Sequence, residues 1–89
     1  MKIIVKIINA GLPVKKYECL ALDKVSMVKV KSLISQTKNW ESLDRVIYNG
    51  YQVDIYENES YKTYCFEEYI PENFNSFLYE MKTLNKEES

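Results

Sequence analysis

The sequence has no histidine and only two residues each of glycine, proline and cysteine among its 89. Without imidazole there is no histidine-based acid–base catalysis, no Ser-His or Cys-His nucleophile pair, and no zinc site that needs histidine. Glycine occurs only at positions 11 and 50, so no glycine-rich loop can hold a phosphate group. Two separated cysteines cannot form a four-thiolate metal site. We therefore expect neither an enzyme nor a bound metal or cofactor.

The sequence also lacks long apolar runs and an excess of charge of either sign. No run approaches the roughly 20 residues that cross a bilayer, so we expect no membrane insertion. The apolar stretch at the start is interrupted by Lys6, which is atypical of a signal peptide and favours a cytoplasmic protein. Lys and Arg number 12 against 13 Asp and Glu, which gives a formal charge of −1 and no general attraction to nucleic acid.

The cysteines, Cys19 and Cys65, lie far apart in the sequence. A disulfide needs an oxidising compartment, which nothing in the sequence indicates, so buried thiols are the simpler expectation. With 46% hydrophobic and 28% charged residues, the composition is that of one globular domain. We predict that residues 1–84 form this domain and that residues 85–89 (NKEES) are a frayed, charged tail.

The first third of the chain predicts a hairpin followed by a helix. Residues 1–8 alternate in the manner of a strand, the NAGLP sequence at 9–13 is a turn, and residues 14–21 return with Tyr17 and Cys19 facing inward. Asp23 or Ser26 can then cap a helix. Its apolar stripe would be Met27, Val30, Ile34 and Thr37, with Leu33 beside it, and Trp40 and Leu43 covering its end. Alternation at Val28 and Val30 leaves a strand open as the competing interpretation.

The second half predicts further strands. Residues 45–48 and 51–56 would be two strands joined by a turn at Asn49-Gly50, and residues 61–66 would pair back onto 51–56 after a turn at 57–60. Residues 69–73 would be a short helical or looped stretch. Residues 76–84 would be a last strand, with Phe77, Tyr79 and Met81 on one face. The predicted class is α+β, with one helix across a mixed sheet of four to five strands and the first and last strands side by side.

Four segments, in this order, resemble ubiquitin: MKIIVK, MVKVKSLI, RVIYNGYQVD and CFEEYIPENFNSFLYEMKTL. The resemblance covers most of the chain and implies a ubiquitin-like β-grasp fold. The sequence departs from conjugated members of that family because it ends in KEES and has no C-terminal diglycine. The expectation is therefore non-covalent binding rather than attachment to other proteins.

Candidate binding residues come from two sources. The resemblance places the family's apolar recognition patch near Ile8, Ile47 and Glu80, with Leu78 at the neighbouring outward position. Tyrosines concentrate between positions 48 and 69, where they either form an interface or simply suit strands. The resemblance makes Tyr69 structural. The predicted protein-binding residues are Ile8, Ile47, Tyr48, Tyr51, Tyr56, Tyr61, Leu78 and Glu80.

These observations together predict a non-covalent protein–protein interaction module whose partner is another protein. The Lys-, Asn-, Ile- and Tyr-rich composition is typical of an AT-rich bacterial genome, and an accessory protein of a bacterial secretion system or mobile element is one role that fits. The alternative is an inhibitor, encoded by a phage or mobile element, that blocks a host protein. A homodimer formed by pairing edge strands is a further arrangement that the tyrosines allow.

Overall fold

Two β-hairpins, each followed by a helix, make up the fold. The computed structural model describes residues 1–21, 23–43 and 45–86. Within them lie β1 (Lys2–Asn9), β2 (Leu12–Leu20), α1 (Lys24–Ser35), β3 (Gly50–Glu57), β4 (Ser60–Phe66) and α2 (Phe74–Lys86). The strands form one antiparallel sheet in the order β2-β1-β3-β4. The predicted α+β class is confirmed.

The first hairpin follows the alternation in the sequence. Ile3 and Val5 are fully buried and lie opposite Cys19 and Tyr17, which are also buried as predicted. Ala10 and Gly11 take positive φ angles of 55° and 77°, the backbone form of a two-residue hairpin turn. Leu12 and Pro13, which were predicted to belong to the turn, begin β2 instead. Pro13 is tolerated there because β2 is an edge strand.

Helix α1 forms where predicted, and its cap is Asp23 rather than Ser26. The Asp23 carboxylate accepts a hydrogen bond of 2.8 Å from the backbone N–H of Ser26, and this bond lowers the pKa of Asp23. The buried face is rotated from the predicted stripe. Val30 and Leu33 face the core, whereas Met27 is 39% exposed.

The predicted strand at 45–48 and the hairpin at Asn49-Gly50 are wrong. The described residues of the segment 41–49, here called the strap, contain no strand and follow the outer edge of β4. The Leu43 N–H donates to the Thr63 carbonyl at 3.1 Å, and the Arg45 carbonyl accepts from Cys65 Sγ at 3.5 Å. The Asn49 side chain accepts from Ala10 N–H, so it fixes the first hairpin's turn instead of making a turn of its own.

The second hairpin confirms the prediction for residues 51–66. Register pairs run from Tyr51 opposite Phe66 to Glu57 opposite Ser60. The turn lies at Asn58 and Glu59, within the predicted 57–60, and Asn58 has a φ of 53°. Asparagine tolerates this left-handed conformation better than most residues do.

The prediction of a last strand at 76–84 is wrong, because these residues lie within helix α2. The buried positions recur at helical spacing, and Tyr79, which alternation had placed beside Phe77 and Met81, is 69% exposed. The predicted mixed sheet with adjacent first and last strands is therefore also wrong. The predicted tail begins within α2, and residues 87–89 lie outside the described residues. The buried α2 side chains are Phe74, Phe77, Leu78, Met81 and Leu84.

The core lies on one face of the sheet, here called the core face, where both helices bury their apolar side chains. Trp40, the residue just before the strap, occupies the middle of this core. Its ring centroid lies 5.1 Å from those of Phe66 and Phe77, and its Nε1–H donates to Asn73 Oδ1 at 2.8 Å. No helix in the described part of the chain is long and apolar enough to span a membrane.

Substitution of Gly50 tests how closely the start of β3 approaches the end of β4. A Cβ atom on this residue would lie 2.0 Å from the carbonyl oxygen of Phe66, and neither backbone can move freely within the sheet. We expect Gly50→Ala to lower the free energy of unfolding by about 3 kcal/mol, as measured by urea denaturation.

Gly11→Ala is the matched control. Its Cβ would meet only Tyr48 Cδ1 at 3.9 Å, so the cost is the left-handed backbone alone, about 1 kcal/mol. Equal effects of the two substitutions would show that β3 and β4 do not approach each other at Gly50 as described.

Candidate protein-binding surface

The face of the sheet opposite the core, here called the open face, carries the outward residues of all four strands. The apolar cluster on this face is formed by Ile8, Ile47 and Cys65 and contains no helix residue. Apart from Ile4 and Leu20, the side chains on the remainder of the face are polar or aromatic. These are Lys2, Lys6, Lys16, Glu18, Gln52, Asp54, Tyr56, Tyr61 and Thr63.

Asp54 is the centre of the open face and is only 1% exposed. Lys6 Nζ lies 3.2 Å from Asp54 Oδ2. Asp54 Oδ1 lies 3.1 Å from Gln52 Nε2, 3.2 Å from the Tyr61 hydroxyl and 3.0 Å from Thr63 Oγ1. A buried carboxylate is costly unless its lone pairs are used, and here both oxygens have donors. The carboxylate therefore holds side chains from three strands in fixed positions.

Tyr56 and Tyr61 face each other across β3 and β4. Their ring centroids are 4.7 Å apart, yet Tyr56 remains 38% and Tyr61 50% exposed. Lys2 Nζ lies 5.8 Å from the centroid of the Tyr56 ring. The bond between the Tyr61 and Thr63 hydroxyls acts to lower the pKa of Tyr61, but burial and the charge of Asp54 outweigh it and raise that pKa. The pair is thus exposed to solvent while its geometry is fixed.

An ion network extends the open face toward β2. Glu18 lies 3.3 Å from Lys2 Nζ and 3.5 Å from Lys16 Nζ. The hydrogen bond from Lys2, together with the charges of Lys2 and Lys16, holds the pKa of Glu18 below its ordinary value, although burial acts in the opposite direction. Charges of both signs therefore lie beside the tyrosine pair.

Ile8 and Ile47 do come together, as predicted, but they cover each other. Ile8 is 8% and Ile47 3% exposed, because the strap lays Ile47 over the sheet. In this conformation neither offers an exposed contact. The neighbours of Ile47 in the strap are the exposed residues: Val46 at 94% and Tyr48 at 63%.

The other predicted site residues lie away from the open face. Leu78 is buried in the core, Glu80 is half-buried on α2, and the Tyr51 ring packs against Phe74 at 4.8 Å. The three-residue patch implied by the resemblance is not assembled, because residues 76–84 form a helix. Tyr69, expected to be structural, is 76% exposed.

Sequence reasoning missed Asp54. Its signal was the alternation of YQVDIY, which puts Tyr51, Val53 and Ile55 inward and Asp54 on the opposite face. That pattern predicts a solvated carboxylate. The burial depends on neighbours from β1 and β4, which local patterning does not show.

Among the described residues, no three His, Cys, Asp or Glu side chains are grouped so as to hold a metal ion. Cys19 and Cys65 are both buried and form no disulfide, as predicted.

Asp54→Ala tests the central carboxylate. It removes the acceptor shared by three donors and the partner of Lys6, so we expect a loss of about 2 kcal/mol in the free energy of unfolding. Gln52→Ala, which removes a single neutral donor beside Asp54, should cost about 1 kcal/mol or less. Urea denaturation of both variants measures the difference, and a smaller effect for Asp54→Ala than for Gln52→Ala would contradict the arrangement.

Glu18 predicts a pH dependence of stability. Its lowered pKa means that the folded state favours the ionised form, so its contribution is present above the pKa of an unfolded glutamate, about 4.3, and is lost as pH falls through the folded-state pKa. Glu18→Gln should therefore reduce the free energy of unfolding near pH 7, and its difference from wild type should shrink toward about pH 3.

The control for this titration is Glu59→Gln, in the exposed turn between β3 and β4. Glu59 has no ion pair among the described residues. Urea denaturation at a series of pH values should show no comparable change for it. A constant difference between Glu18→Gln and wild type at every pH would rule out the proposed contribution of Glu18.

No protein-family model matches the chain, and no curated protein or solved structure matches it either. The geometry of the open face is therefore the basis for assigning a function.

Proposed function

We propose that this protein is a non-covalent protein-binding module that docks its partner on the open face. The observation that carries the proposal is the Tyr56–Tyr61 pair, which is exposed yet held by Lys2, Asp54 and Thr63. Tyrosine is enriched among residues that dominate binding energy, because its ring supplies apolar area while its hydroxyl stays hydrated. Fixed rings also lose little conformational entropy when a partner binds.

The surrounding charges would determine the orientation of the bound partner rather than the affinity of binding. Lys2, Lys16 and Glu18 form a network beside the tyrosines in which both signs are present. Partly exposed pairs of this kind contribute little to affinity, but they disfavour a partner with like charges in the same places. The partner we expect places apolar or aromatic groups on the tyrosines and opposite charges around them.

A ubiquitin-like origin is part of this proposal. The order of a hairpin followed by a helix in residues 2–35 supports it, and the helix at 74–86 departs from it. The accessory role in a bacterial secretion system or mobile element and the inhibitor role differ only in the partner bound, and both assume a cytoplasmic protein. A homodimer through edge strands has less support, because the strap lies along β4 and Asn85 Oδ1 accepts from Glu18 N–H on β2.

Affinity capture from a lysate of the source organism tests the proposal, with wild type and Tyr56→Ala as baits. Tyr79→Ala is the matched control, because Tyr79 is 69% exposed on α2, away from the open face. Truncating a dominant contact costs about 2 kcal/mol or more, roughly 30-fold in affinity. We expect a partner retained by wild type and Tyr79→Ala and lost from Tyr56→Ala.

Circular dichroism of all three baits shows beforehand that each is folded. A partner lost from Tyr79→Ala and retained by Tyr56→Ala would move the interface to the helices. Equal retention by all three would remove the open face as the docking surface.

A further inference from the structure

A concave surface lies on the core face of the sheet, between the end of α1 and the hairpin of β3 and β4. It encloses about 480 Å³ and is here called the lysine cleft. Ile34 and Ile55 provide apolar lining, and Trp40 borders it. Its charged rim consists of Lys31, Lys38, Lys62 and Glu57.

The rim is positive in a chain whose formal charge is −1. None of the three lysines has an ion-pair partner among the described residues, whereas Lys2, Lys6 and Lys16 on the open face are all paired. Three unpaired ammonium groups around one concavity repel one another and attract an anion.

Tyr64 supplies an independent observation. It lines the lysine cleft and is 4% exposed, and its hydroxyl has no hydrogen-bond partner within the described residues. Its aromatic neighbour Trp40 differs in this respect, since Trp40 Nε1–H donates to Asn73. The Tyr64 ring is buried, but its hydroxyl oxygen is not among the buried polar atoms that lack a partner, so it reaches solvent in the cleft and is a donor available to a ligand there.

We propose that the lysine cleft binds an acidic peptide segment of a partner protein. A carboxylate side chain of the peptide would accept from the Tyr64 hydroxyl and lie among the ammonium groups of Lys31, Lys38 and Lys62. A neighbouring apolar side chain of the same peptide would pack on Ile34, which is half-buried at the cleft. Charge complementarity and the apolar lining together select this occupant over a simple anion.

A nucleic acid is a poorer fit for the cleft. Proteins bind single-stranded nucleic acid by stacking its bases on exposed aromatic rings. Trp40 and Tyr64 are only 8% and 4% exposed, so their rings cannot stack on bases in this way. Glu57 on the rim would also repel a phosphate backbone. This inference does not depend on the proposed function, because the cleft and the tyrosine pair lie on opposite faces of the sheet.

Trp40 gives a direct readout, because it is the only tryptophan in the chain and it lines the cleft. The probe is a blocked hexapeptide of alternating glutamate and leucine. Its counterpart, with glutamine in place of glutamate, has the same length and apolar residues without the charge. Titration of the intact protein at low salt should give a saturable change in tryptophan fluorescence with the acidic peptide only.

Two variants separate the contribution of the lysine charges from that of the Tyr64 hydroxyl. Lys31→Gln with Lys62→Gln should weaken binding about tenfold, because each partly exposed ion pair contributes a factor of about 2 to 5. Tyr64→Phe removes only the hydroxyl and should weaken binding by about tenfold or more, the value of a hydrogen bond to a charged group.

The matched control is Lys24→Gln with Lys29→Gln, which removes two exposed lysines of α1 that do not line the cleft. It should bind the acidic peptide with less than a twofold change. A Tyr79→Phe control removes an exposed hydroxyl elsewhere and should have no effect.

Three results would overturn the proposal. The first is no saturable change with wild type. The second is an equal loss from the Lys24/Lys29 control, which would show attraction to the overall charge of α1 rather than to the cleft. The third is tighter binding of an oligothymidylate than of the acidic peptide, which would make the cleft a nucleic-acid site.

Discussion

The packing of Trp40 is the constraint on which the rest of the structure depends. Its ring lies in the middle of the core, and its Nε1–H is bonded to Asn73 just before α2. It therefore joins the connection after α1 to β4 and to the start of the second helix. Rings buried at such separations contribute beyond their apolar area, because their edges meet the faces of their neighbours. The aromatic rings around it are those of Tyr64, Phe66, Phe74 and Phe77.

The position of Trp40 determines the path of the strap. The chain leaves the core at Trp40, follows the outer edge of β4, and reaches the open face where Ile47 is buried with Ile8 and Cys65. This path occupies part of an edge that would otherwise pair with another strand. It also separates the two surfaces discussed above, with the lysine cleft on one face of the sheet and the tyrosine pair on the other.

Burial of Asp54 contributes more to selecting one register of the strands than to the free energy of unfolding. An ionised carboxylate loses much of its hydration when it is 1% exposed, and its bonds to Lys6, Tyr61 and Thr63 largely offset that cost. Any other register of β1, β3 and β4 would leave the charge without these donors. The same bonds that select the register fix the Tyr61 ring.

The sequence by itself determined the elements whose signals are local. Asp23 was one of the two caps predicted for α1, and the alternation in β1 and the turn at 57–60, which each depend on a few neighbouring residues, were predicted correctly. Residues 45–48 and 76–84 were predicted incorrectly as strands, because a short apolar run fits a strand or a helix equally well until the residues that pack against it are known. Burial of Phe74 and Leu84 beside Phe77 and Met81 made the last element a helix. The exposure of Tyr56 and Tyr61 could be predicted from the sequence, whereas the burial of Tyr64 could not. The burial of Asp54 and the grouping of Lys62 with Lys31 and Lys38 were decided only by the tertiary structure, since their neighbours come from elements far apart in the chain.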